Sequence, residues 1–267
     1  MNTKKIISLS FLILGFFIIE TSAASAKDFL FVGQDYPPFN YLDGKAIKGG
    51  TVDVIKVVCN RLKHRCGFRV GVPLARALDT FKKNQVDGFL SLVPSEERKS
   101  FAIFSTPIAY SNQSYMILEN KNIPEQNQIE KLDGWTVGGV RESLSIKTAK
   151  EHQEILKGQG KVLNIVEEID NKTVVKKLLS GRYGSKGSVI AGTEEGLKFY
   201  VNQENPSAKL QRLYKVETLS FVLAFSKEKY ESQSAIVDEF SAEIEKLRKS
   251  GELAKILKPY SLKSNAK

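Results

Sequence analysis

Two kinds of apolar pattern alternate along this chain. Short apolar runs predict β-strands, and apolar residues that recur every three to four positions predict amphipathic helices. From residue 27 onward the order is strand, helix, strand, helix, strand, which predicts parallel pairing with right-handed crossovers. The strands are predicted at residues 29–32, 68–72 and 88–93, and the helices begin after Gly49-Gly50 and at Pro73.

A second series of the same kind begins near residue 114. It ends in a further apolar strand at 219–225 and a long helix with an apolar stripe over 236–247, followed by 253–257. Two α/β lobes are the economical interpretation, and such folds bind ligands where strand ends face a cleft. The series itself comprises predicted strands at 114–118, 135–140, 162–165 and 188–191, and predicted helices at 145–156, 172–179 and 193–201.

The N-terminal segment is typical of a cleavable signal peptide. Lys4 and Lys5 precede an uncharged apolar run over residues 6–19, and Ala24-Ser25-Ala26 offers the small residues at which signal peptidase cuts. The run is shorter than the roughly 20 residues that a transmembrane helix needs. Residues 1–26 are therefore expected to be removed on export. An uncleaved membrane anchor is the alternative.

Cys59 and Cys66 are the two cysteines of the chain. In an exported protein an even pair at this spacing predicts a disulfide that closes a short loop and contributes about 2 to 3 kcal/mol. The alternative is a metal site with His64 as a third ligand, although the spacing matches no common zinc pattern. No metal and no cofactor is therefore predicted.

The composition allows a sizeable core and gives little support to a nucleic-acid partner. Hydrophobic residues make up 42% of the 267 residues, and the formal net charge is +10. Loss of Lys4, Lys5 and Glu20 with the N-terminal segment leaves +9. The lysines are scattered among glutamates, which indicates solvated helix faces rather than a basic patch. The charge supports a modest attraction for anionic small molecules.

Four segments together carry a resemblance to a known family. The chain resembles the family 3 periplasmic solute-binding proteins, the amino-acid receptors of ABC importers, over essentially its whole length after residue 26. The spacing of the two cysteines is also similar to that of a disulfide in some of these receptors. The segments are YPPFNYLDG (36–44), GGTVDVIKVVCNRL (49–62), FKKNQVDGF (81–89) and SEERKSFAIFSTPI (95–108).

The resemblance implies a type II periplasmic-binding-protein-like fold of the α/β class. Each of two lobes is expected to be a mostly parallel sheet flanked by helices, and two hinge strands are expected to join them. Lobe 1 would comprise residues 27–112 and 220–267, and lobe 2 residues 113–219. The hinge strands would lie near residues 114–118 and 217–223, so that a ligand shifts the lobes toward a closed form.

The motif SEERK, after the strand at 88–93, contains the main candidate for ligand binding. Ser95 is expected to cap a short helix there. The resemblance places Arg98 where family members grip the ligand carboxylate, and a guanidinium suits this role because it offers two parallel donors and stays charged. The alternative is a surface turn in which Arg98 pairs with Glu96 or Glu97.

Three further candidates lie in lobe 1. Tyr36, before Pro37-Pro38, is expected to lay its ring against the ligand, with core packing as the alternative. Ser91 would offer its hydroxyl or backbone carbonyl, unless it points outward from the strand. Arg76, one turn into a helix, would bind a second anionic group or be a solvated surface arginine.

In lobe 2 the segment VGGVRESLS resembles the family's strand-to-helix loop, which completes the carboxylate cradle with backbone N–H groups and a hydroxyl. Ser143 is the expected capping hydroxyl and Arg141 a rim charge. The aspartate with which amino-acid receptors of the family bind the ligand ammonium corresponds here to Gly192 or Thr193. Either Glu194 turns into the site instead, or the ligand lacks an α-ammonium group.

The leading interpretation is a non-catalytic periplasmic receptor, expected to be a monomer, that closes on an amino-acid-like small carboxylate and docks on an inner-membrane ABC permease. Gly33 replaces an acidic residue of the basic-amino-acid receptors, which argues against lysine or arginine as the ligand. A cyclohexadienyl dehydratase-like enzyme on the same fold is a second interpretation, with Glu142 or Glu194 as the catalytic carboxylate. A sensory or regulatory module is a third.

Overall fold

The structure is a computed structural model that describes residues 26–120, 123, 125–126, 128–184 and 187–266. The predicted signal peptide, residues 1–26, lies outside the described residues except for Ala26. No helix in the described ranges combines the length and apolarity that a membrane span requires.

The strands are β1 (Asp28–Gln34), β2 (Tyr41–Asp43), β3 (Ala46–Lys48), β4 (Arg65–Val72), β5 (Gly88–Leu92), β6 (Ala102–Phe104), β7 (Ala109–Leu118), β8 (Thr136–Val140), β9 (Asn164–Glu168), β10 (Ser188–Thr193) and β11 (Leu210–Ser226). The helices are α1 (Gly50–Arg61), α2 (Leu74–Lys82), α3 (Glu96–Lys99), α4 (Leu144–Gly158), α5 (Asn171–Leu179), α6 (Glu194–Glu204), α7 (Lys227–Tyr230), α8 (Ser234–Lys249) and α9 (Glu252–Leu257).

Strand β11 divides its pairing between two sets of strands, and this division produces two lobes. Its residues 210–221 pair with β7, and its residues 222–226 pair with β5 and β6. On one side β1 lies between β4 and β5 and is parallel to both, and on the other side β8 lies between β9 and β10 in the same way. Each lobe therefore has a parallel core flanked by antiparallel strands and helices. The predicted two-lobed α/β fold is confirmed.

The apolar runs in the sequence correspond to strands that are covered on both faces. All five residues of β5, GFLSL, are buried, as expected for a strand between two layers of helices. The largest core cluster joins Phe31, Phe225 and Phe240 to Ile55 and Val58 of α1. The rings of Phe31 and Phe225 meet edge to face with centroids 5.9 Å apart, an arrangement that favours aromatic pairs.

Helix α1 begins after a glycine that the fold requires. Gly49 has a φ of 129°, and a Cβ there would lie 2.2 Å from the carbonyl oxygen of Phe39. Only glycine tolerates both the positive φ and this close approach. The same carbonyl accepts a hydrogen bond of 3.0 Å from the backbone N–H of Thr51. The loop that carries Tyr36 is thereby held against the start of α1.

Cys59 and Cys66 form the predicted disulfide, which joins the last turn of α1 to the start of β4. His64, the third ligand in the alternative metal site, packs instead against Phe29 with ring centroids 5.2 Å apart. In the part of the chain that the structure describes, no group of three or more His, Cys, Asp or Glu side chains is arranged to hold a metal ion.

Several strand boundaries differ from the prediction. β7 begins at Ala109 rather than at residue 114, β11 begins at Leu210 rather than at 219, and β9 covers Asn164–Glu168 rather than 162–165. The early part of β11 alternates between exposed and covered residues, because one face of that segment meets solvent. A search for continuous apolar runs detects only the doubly covered part of such a strand.

Candidate functional site

A cavity lies between the two lobes at the carboxyl ends of β1 and β5, the edge at which α/β sheets bind ligands. Its empty space, counted together with the part that is open to solvent, is about 400 Å³. Lobe 1 contributes the ends of these strands with α2 and α3, lobe 2 contributes the start of α4, and β11 closes one side. The lining residues are Gln34, Tyr36, Leu74, Phe89, Ser91, Leu92, Val93, Arg98, Ser143, Leu144, Ser145, Leu219 and Phe221.

Arg98 lines this cavity from α3. Ser95 caps the helix as predicted, because its Oγ accepts a hydrogen bond of 3.3 Å from the backbone N–H of Arg98. The Arg98 residue is only 5% exposed, and its Nη1 donates to the backbone carbonyl of Val93 at 2.7 Å. The short helix therefore directs a buried guanidinium at the space between the lobes.

The carboxylates next to Arg98 pair with lysines instead. Glu96 pairs with Lys99, and Glu97 pairs with Lys147. The surface turn in which Arg98 pairs with either glutamate is therefore not what the structure has. Within the described ranges Arg98 forms no ion pair at all. A buried cation in this state is unfavourable until an anion joins it.

Burial dominates the electrostatics of Arg98. Burial lowers the pKa of Arg98, and the negative charges of Glu97 and Glu142 oppose that shift only in part. An arginine side chain nevertheless keeps its proton at any relevant pH. The site therefore holds a permanent positive charge whose hydration has largely been removed.

Ser91 occupies a strained position at the end of β5. Its φ is 53°, in the left-handed region that few non-glycine residues adopt. The pairing of β5 with β11 is irregular at the same place, between Val222 and Ala224. The Ser91 hydroxyl donates to Thr51 Oγ1 at 2.8 Å. Strain of this kind is concentrated at functional sites, where surrounding contacts maintain it.

Tyr36 reaches across the cleft. Its ring stacks on Phe39 with centroids 5.0 Å apart, and its hydroxyl shares a hydrogen bond of 2.8 Å with Thr193 Oγ1 at the end of β10. Burial raises the pKa of the Tyr36 phenol, so the group is neutral. Tyr36 thus lines the cavity with one face and links lobe 1 to lobe 2 through its hydroxyl.

Two further contacts bridge the lobes. The Tyr200 hydroxyl of α6 donates to Asp35 Oδ2 at 3.1 Å, and Lys147 of α4 pairs with Glu97 of α3. Together with the bond between Tyr36 and Thr193, these contacts hold the two lobes against each other. The structure therefore represents a closed arrangement of the lobes.

The lobe 2 wall is the start of α4. Ser143 caps this helix as predicted, because its Oγ accepts from the backbone N–H of Ile146 at 3.2 Å. Glu142, immediately before it, has a φ of 63°, while Arg141 and Glu142 are both exposed. Ser143 and the first residues of the helix line the same cavity as Arg98, whereas Arg141 is not among the lining residues.

Arg76 is not brought to the cavity. It lies on the exposed face of α2, whereas Leu74 and Ala77 form the buried face. The helical period places Leu74 against the cavity and turns Arg76 away from it. The alternative of a solvated surface arginine therefore describes its position.

Glu194 is likewise outside the cavity. It is the first residue of α6 and is 9% exposed. Its Oε1 accepts hydrogen bonds from Ser114 Oγ and from Arg212 Nη1, each at 2.9 Å. Burial raises the pKa of Glu194, but the bonds from Arg212 and Ser114 outweigh it and leave the pKa below its ordinary value. The expectation that Glu194 turns into the site has no support in this geometry.

Sequence reasoning did not identify all of the lining. Gln34 and Ser145 contribute polar side chains to the cavity, and Phe221 contributes part of its apolar wall. Gln34 is the last residue of β1, two positions before Tyr36. Its position at a strand end was the one available signal, and this signal does not separate a ligand contact from a turn residue.

Residues 30–263 match the family described as bacterial extracellular solute-binding proteins, family 3. The chain belongs to this family. The match spans both lobes and includes every residue that lines the cavity. The resemblance noted in the sequence is therefore confirmed over nearly the whole chain.

Two curated relatives of this solute-binding protein carry names that include a ligand. The arginine-binding extracellular protein ArtP of Bacillus subtilis is 24% identical over 255 residues, which cover 90% of this chain and 89% of the relative. The arginine-binding periplasmic protein of Mannheimia haemolytica is 23% identical over 242 residues, which cover 87% and 90%. These relatives are binding proteins, so the prediction of a non-catalytic protein is confirmed.

Solved structures with the same fold include two kinds of receptor. An amino acid ABC transporter substrate-binding protein of Streptococcus pneumoniae, bound to L-arginine, has a TM-score of 0.72 and 20% identity and covers 88% of this chain and 94% of its own. A histidine kinase sensor domain has a TM-score of 0.71 and 18% identity and covers 89% and 98%. At these identities the likeness establishes the fold of the solute-binding protein.

Proposed function

We propose that this solute-binding protein captures a small carboxylate-bearing solute, amino-acid-like in size, between its lobes and delivers it to an inner-membrane ABC permease. The observation that carries the proposal is the Arg98 guanidinium, which lines the cavity, is 5% exposed and has no ion-pair partner among the described residues. A bound carboxylate supplies the missing negative charge and can take two parallel hydrogen bonds from it.

The lobe 2 wall of the cavity, formed by the start of α4, also favours a negatively charged ligand. Helix α4 runs for 15 residues, and its first turn meets the cavity through Ser143, Leu144 and Ser145. The positive end of a helix dipole favours a nearby anion, and free backbone N–H groups there can donate to it. We assign ligand contacts to Arg98, Tyr36, Ser91 and Ser143.

Ligand capture proceeds by closure of the two lobes. We take lobe 1 as residues 27–112 and 220–267, and lobe 2 as residues 113–219. The division lies close to the place where β11 changes partners from β7 to β5. A ligand that contacts both Arg98 and the start of α4 binds the closed form better than an open one, and thereby shifts the population toward closure.

The family supports a location and a partner for the protein. Its members are extracellular proteins, and the relatives are named as extracellular or periplasmic. We propose that the mature chain works in the periplasm as a monomer after removal of residues 1–26. Its partner is an ABC permease, as for the substrate-binding proteins that share its fold.

A sensory role is a second candidate, favoured by the histidine kinase sensor domain that has the same fold. Ligand-dependent uptake distinguishes the two roles. If the protein serves transport, deletion of its gene abolishes uptake of the ligand. If it serves sensing, uptake continues and a transcriptional response to the ligand is lost. The dehydratase interpretation has no comparable support, because Glu142 is exposed and Glu194 is engaged by Arg212.

Native mass spectrometry of freshly purified protein tests ligand capture directly. We expect wild-type protein to retain an acidic small molecule and Arg98→Ala protein to lose it. Arg76→Ala is the matched control, because it removes an exposed arginine of the same lobe. Equal retention by the Arg98 and wild-type proteins would contradict the assignment of Arg98.

A further inference from the structure

The lining of the cavity is unbalanced in charge. Of its thirteen residues, all within the described part of the chain, Arg98 alone is charged and none is acidic. The polar remainder consists of one amide, one phenol and three serine hydroxyls. A charged ligand therefore meets a single positive group and otherwise neutral side chains.

Three carboxylates of the residues around this lining are engaged elsewhere or exposed. Glu97 pairs with Lys147 on the rim, and Glu142 is exposed. Glu194 accepts from Ser114 and Arg212. Thr193, at the end of β10, directs its hydroxyl to Tyr36 at 2.8 Å. No carboxylate in the described ranges is left to neutralise a second charge on the ligand inside this cavity.

An α-amino acid would bring such a second charge. Its ammonium group is attached to the carbon next to the carboxylate, so seating the carboxylate on Arg98 would bury the ammonium in the same cavity. A buried charge without an opposite partner is strongly disfavoured. A carboxylate that lacks the ammonium group avoids this penalty and leaves the buried site neutral.

The uncharged lining indicates how the rest of such a ligand is held. Leu74, Phe89, Leu92, Leu219 and Phe221 form apolar walls. Gln34 offers a neutral amide that can donate and accept. Two of the hydroxyls already have partners, since Ser91 donates to Thr51 and Ser143 accepts from the Ile146 backbone. The cavity therefore suits a mainly apolar body with few polar groups.

We propose that the solute is a small monocarboxylate without an ammonium group, held by Arg98 as its one ionic partner, by Gln34 as a neutral hydrogen-bonding partner, and by apolar walls. This inference rests on the proposed function and narrows the class of solute. It also separates the protein from relatives that are named for arginine.

A neighbouring cavity determines which ligands the test must include. It shares Gln34 and Leu74 with the first and is also lined by Asp35 and Asp170. Asp35 accepts from the Tyr200 hydroxyl at 3.1 Å, and Asp170 accepts from the backbone N–H of Thr173 at 2.7 Å. These carboxylates already have donors, but a long ligand with a cation at its far end would approach them.

The test compares ligands in matched pairs that differ only in the α-ammonium group. The pairs are propanoate and alanine, 4-methylpentanoate and leucine, 3-phenylpropanoate and phenylalanine, and 5-guanidinopentanoate and arginine. Isothermal titration calorimetry on the refolded, ligand-free mature protein measures each dissociation constant. We expect the tightest ligand to be a carboxylate whose side chain is uncharged. It should bind at least about tenfold more tightly than the amino acid of the same pair, because the ammonium group of the amino acid would be buried without a partner.

Two variants of one residue make the test specific to charge. Gln34→Glu introduces a carboxylate into the cavity with almost no change in shape, and Gln34→Met is the neutral control of similar size. Gln34→Glu is expected to weaken binding of the preferred carboxylate. It should also reduce the ratio of the carboxylate's affinity to that of the paired amino acid at least about tenfold, because the new negative charge offers the ammonium group a partner. Gln34→Met is expected to change both members of the pair by the same factor.

The outcomes separate this inference from the proposed function. An amino acid that binds as tightly as its deaminated partner, with affinity lost in Arg98→Met, overturns the inference and leaves the proposed function standing. The inference is also overturned if 5-guanidinopentanoate binds most tightly, because the site would then recognise a ligand with a positive charge at its far end. If no ligand of any pair binds the wild-type protein more tightly than it binds the Arg98→Met protein, both proposals are overturned.

Discussion

The two lobes each bury a charged side chain near the cleft, and they treat that charge differently. Arg98 in lobe 1 is 5% exposed and has no carboxylate partner among the described residues. Glu194 in lobe 2 is 9% exposed and accepts from Arg212 and Ser114. Both residues lie in the first turn of a helix beside the cleft.

The difference shows how a binding charge is recognised. A buried charge that the protein itself neutralises contributes to the fold, and removal of its partner is destabilising. A buried charge that the protein leaves unpaired lowers stability and gains a partner only when a ligand arrives. By this criterion the geometry of Arg98 supports its proposed role in ligand binding and that of Glu194 fits a structural role, although both are charged and close to the cleft.

The largest expected effect is on the structural pair. Arg212→Met leaves the Glu194 carboxylate without its guanidinium, and we expect the free energy of unfolding to fall by about 2 kcal/mol. Breaking a fully buried pair costs about 3 to 5 kcal/mol, and the smaller value applies because the Arg212 side chain is 32% exposed. Urea denaturation at pH 7 measures the change.

A double variant serves as the control for this prediction. Glu194→Gln combined with Arg212→Met removes both charges, so much of the lost stability should return. Ligand affinity should remain within a few-fold of the wild-type value in each variant. If Arg212→Met abolished binding while leaving stability unchanged, the assignment of this pair to the fold would be wrong.

Arg98→Met should act in the opposite direction on stability. Without ligand, the substitution removes an unpaired buried cation and places an apolar chain among apolar walls, so the free energy of unfolding is expected to rise by about 1 kcal/mol. Thermal denaturation of ligand-free protein measures the shift. If Arg98→Met lost as much stability as Arg212→Met, both buried charges would stabilise the fold, and the proposed difference between the two regions would be wrong.

The pH dependence of stability should distinguish the same regions. The pKa of Glu194 is lower in the folded protein than its ordinary value of 4.5. Glu194 therefore contributes stability that is fully present above about pH 4.5 and is lost as the pH falls through the folded pKa. The stability difference between wild type and Glu194→Gln should shrink on acidification. The difference for Arg98→Met should change much less, because arginine keeps its proton and the pKa of the neighbouring Glu97 is lowered mainly by Lys147.

These pH series have a matched control and a clear contrary result. Glu154→Gln changes an exposed glutamate on α4 and should leave the acid profile almost unaltered. Denaturation midpoints between pH 3 and pH 8 provide the comparison. A constant difference for Glu194→Gln across this range would show that its carboxylate gains nothing from Arg212.

The smallest expected effect is on closure. Tyr36→Phe removes the hydrogen bond to Thr193, which joins the lobes only when they are closed. A neutral hydrogen bond contributes about 0.5 to 1.5 kcal/mol, so ligand affinity should fall by a few-fold with little change in the stability of the ligand-free protein. Tyr260→Phe removes a bond to Asp53 within lobe 1 and should leave affinity unchanged. If Tyr36→Phe and Tyr260→Phe bound the ligand with equal affinity, the bond between Tyr36 and Thr193 would not contribute to closure.

Local signals in the sequence predict some of the residues in and around the cavity and miss others. Ser95 and Ser143 were found because a capping serine is recognisable from the residues that follow it, and both accept the expected backbone hydrogen bonds. Arg98 was placed by the motif around it. Gln34 was missed because a glutamine at a strand end has no distinctive pattern, and Arg76 was included because its helix lies near the cleft although its side faces solvent.

Local signals in the sequence determined the two α/β lobes, the capped helices and the disulfide pair. Apolar periodicity predicted the strands and helices, serines predicted the caps, and a single pair of cysteines predicted the disulfide. Each of these depends on residues close in the chain. The tertiary structure decided which charges meet. Glu194 and Arg212 are brought together by α6 and β11, whereas Arg98 forms no ion pair with any described carboxylate. Burial and pairing of a charge depend on groups distant in the sequence, and for that reason only the folded protein distinguishes the binding charge from the structural one.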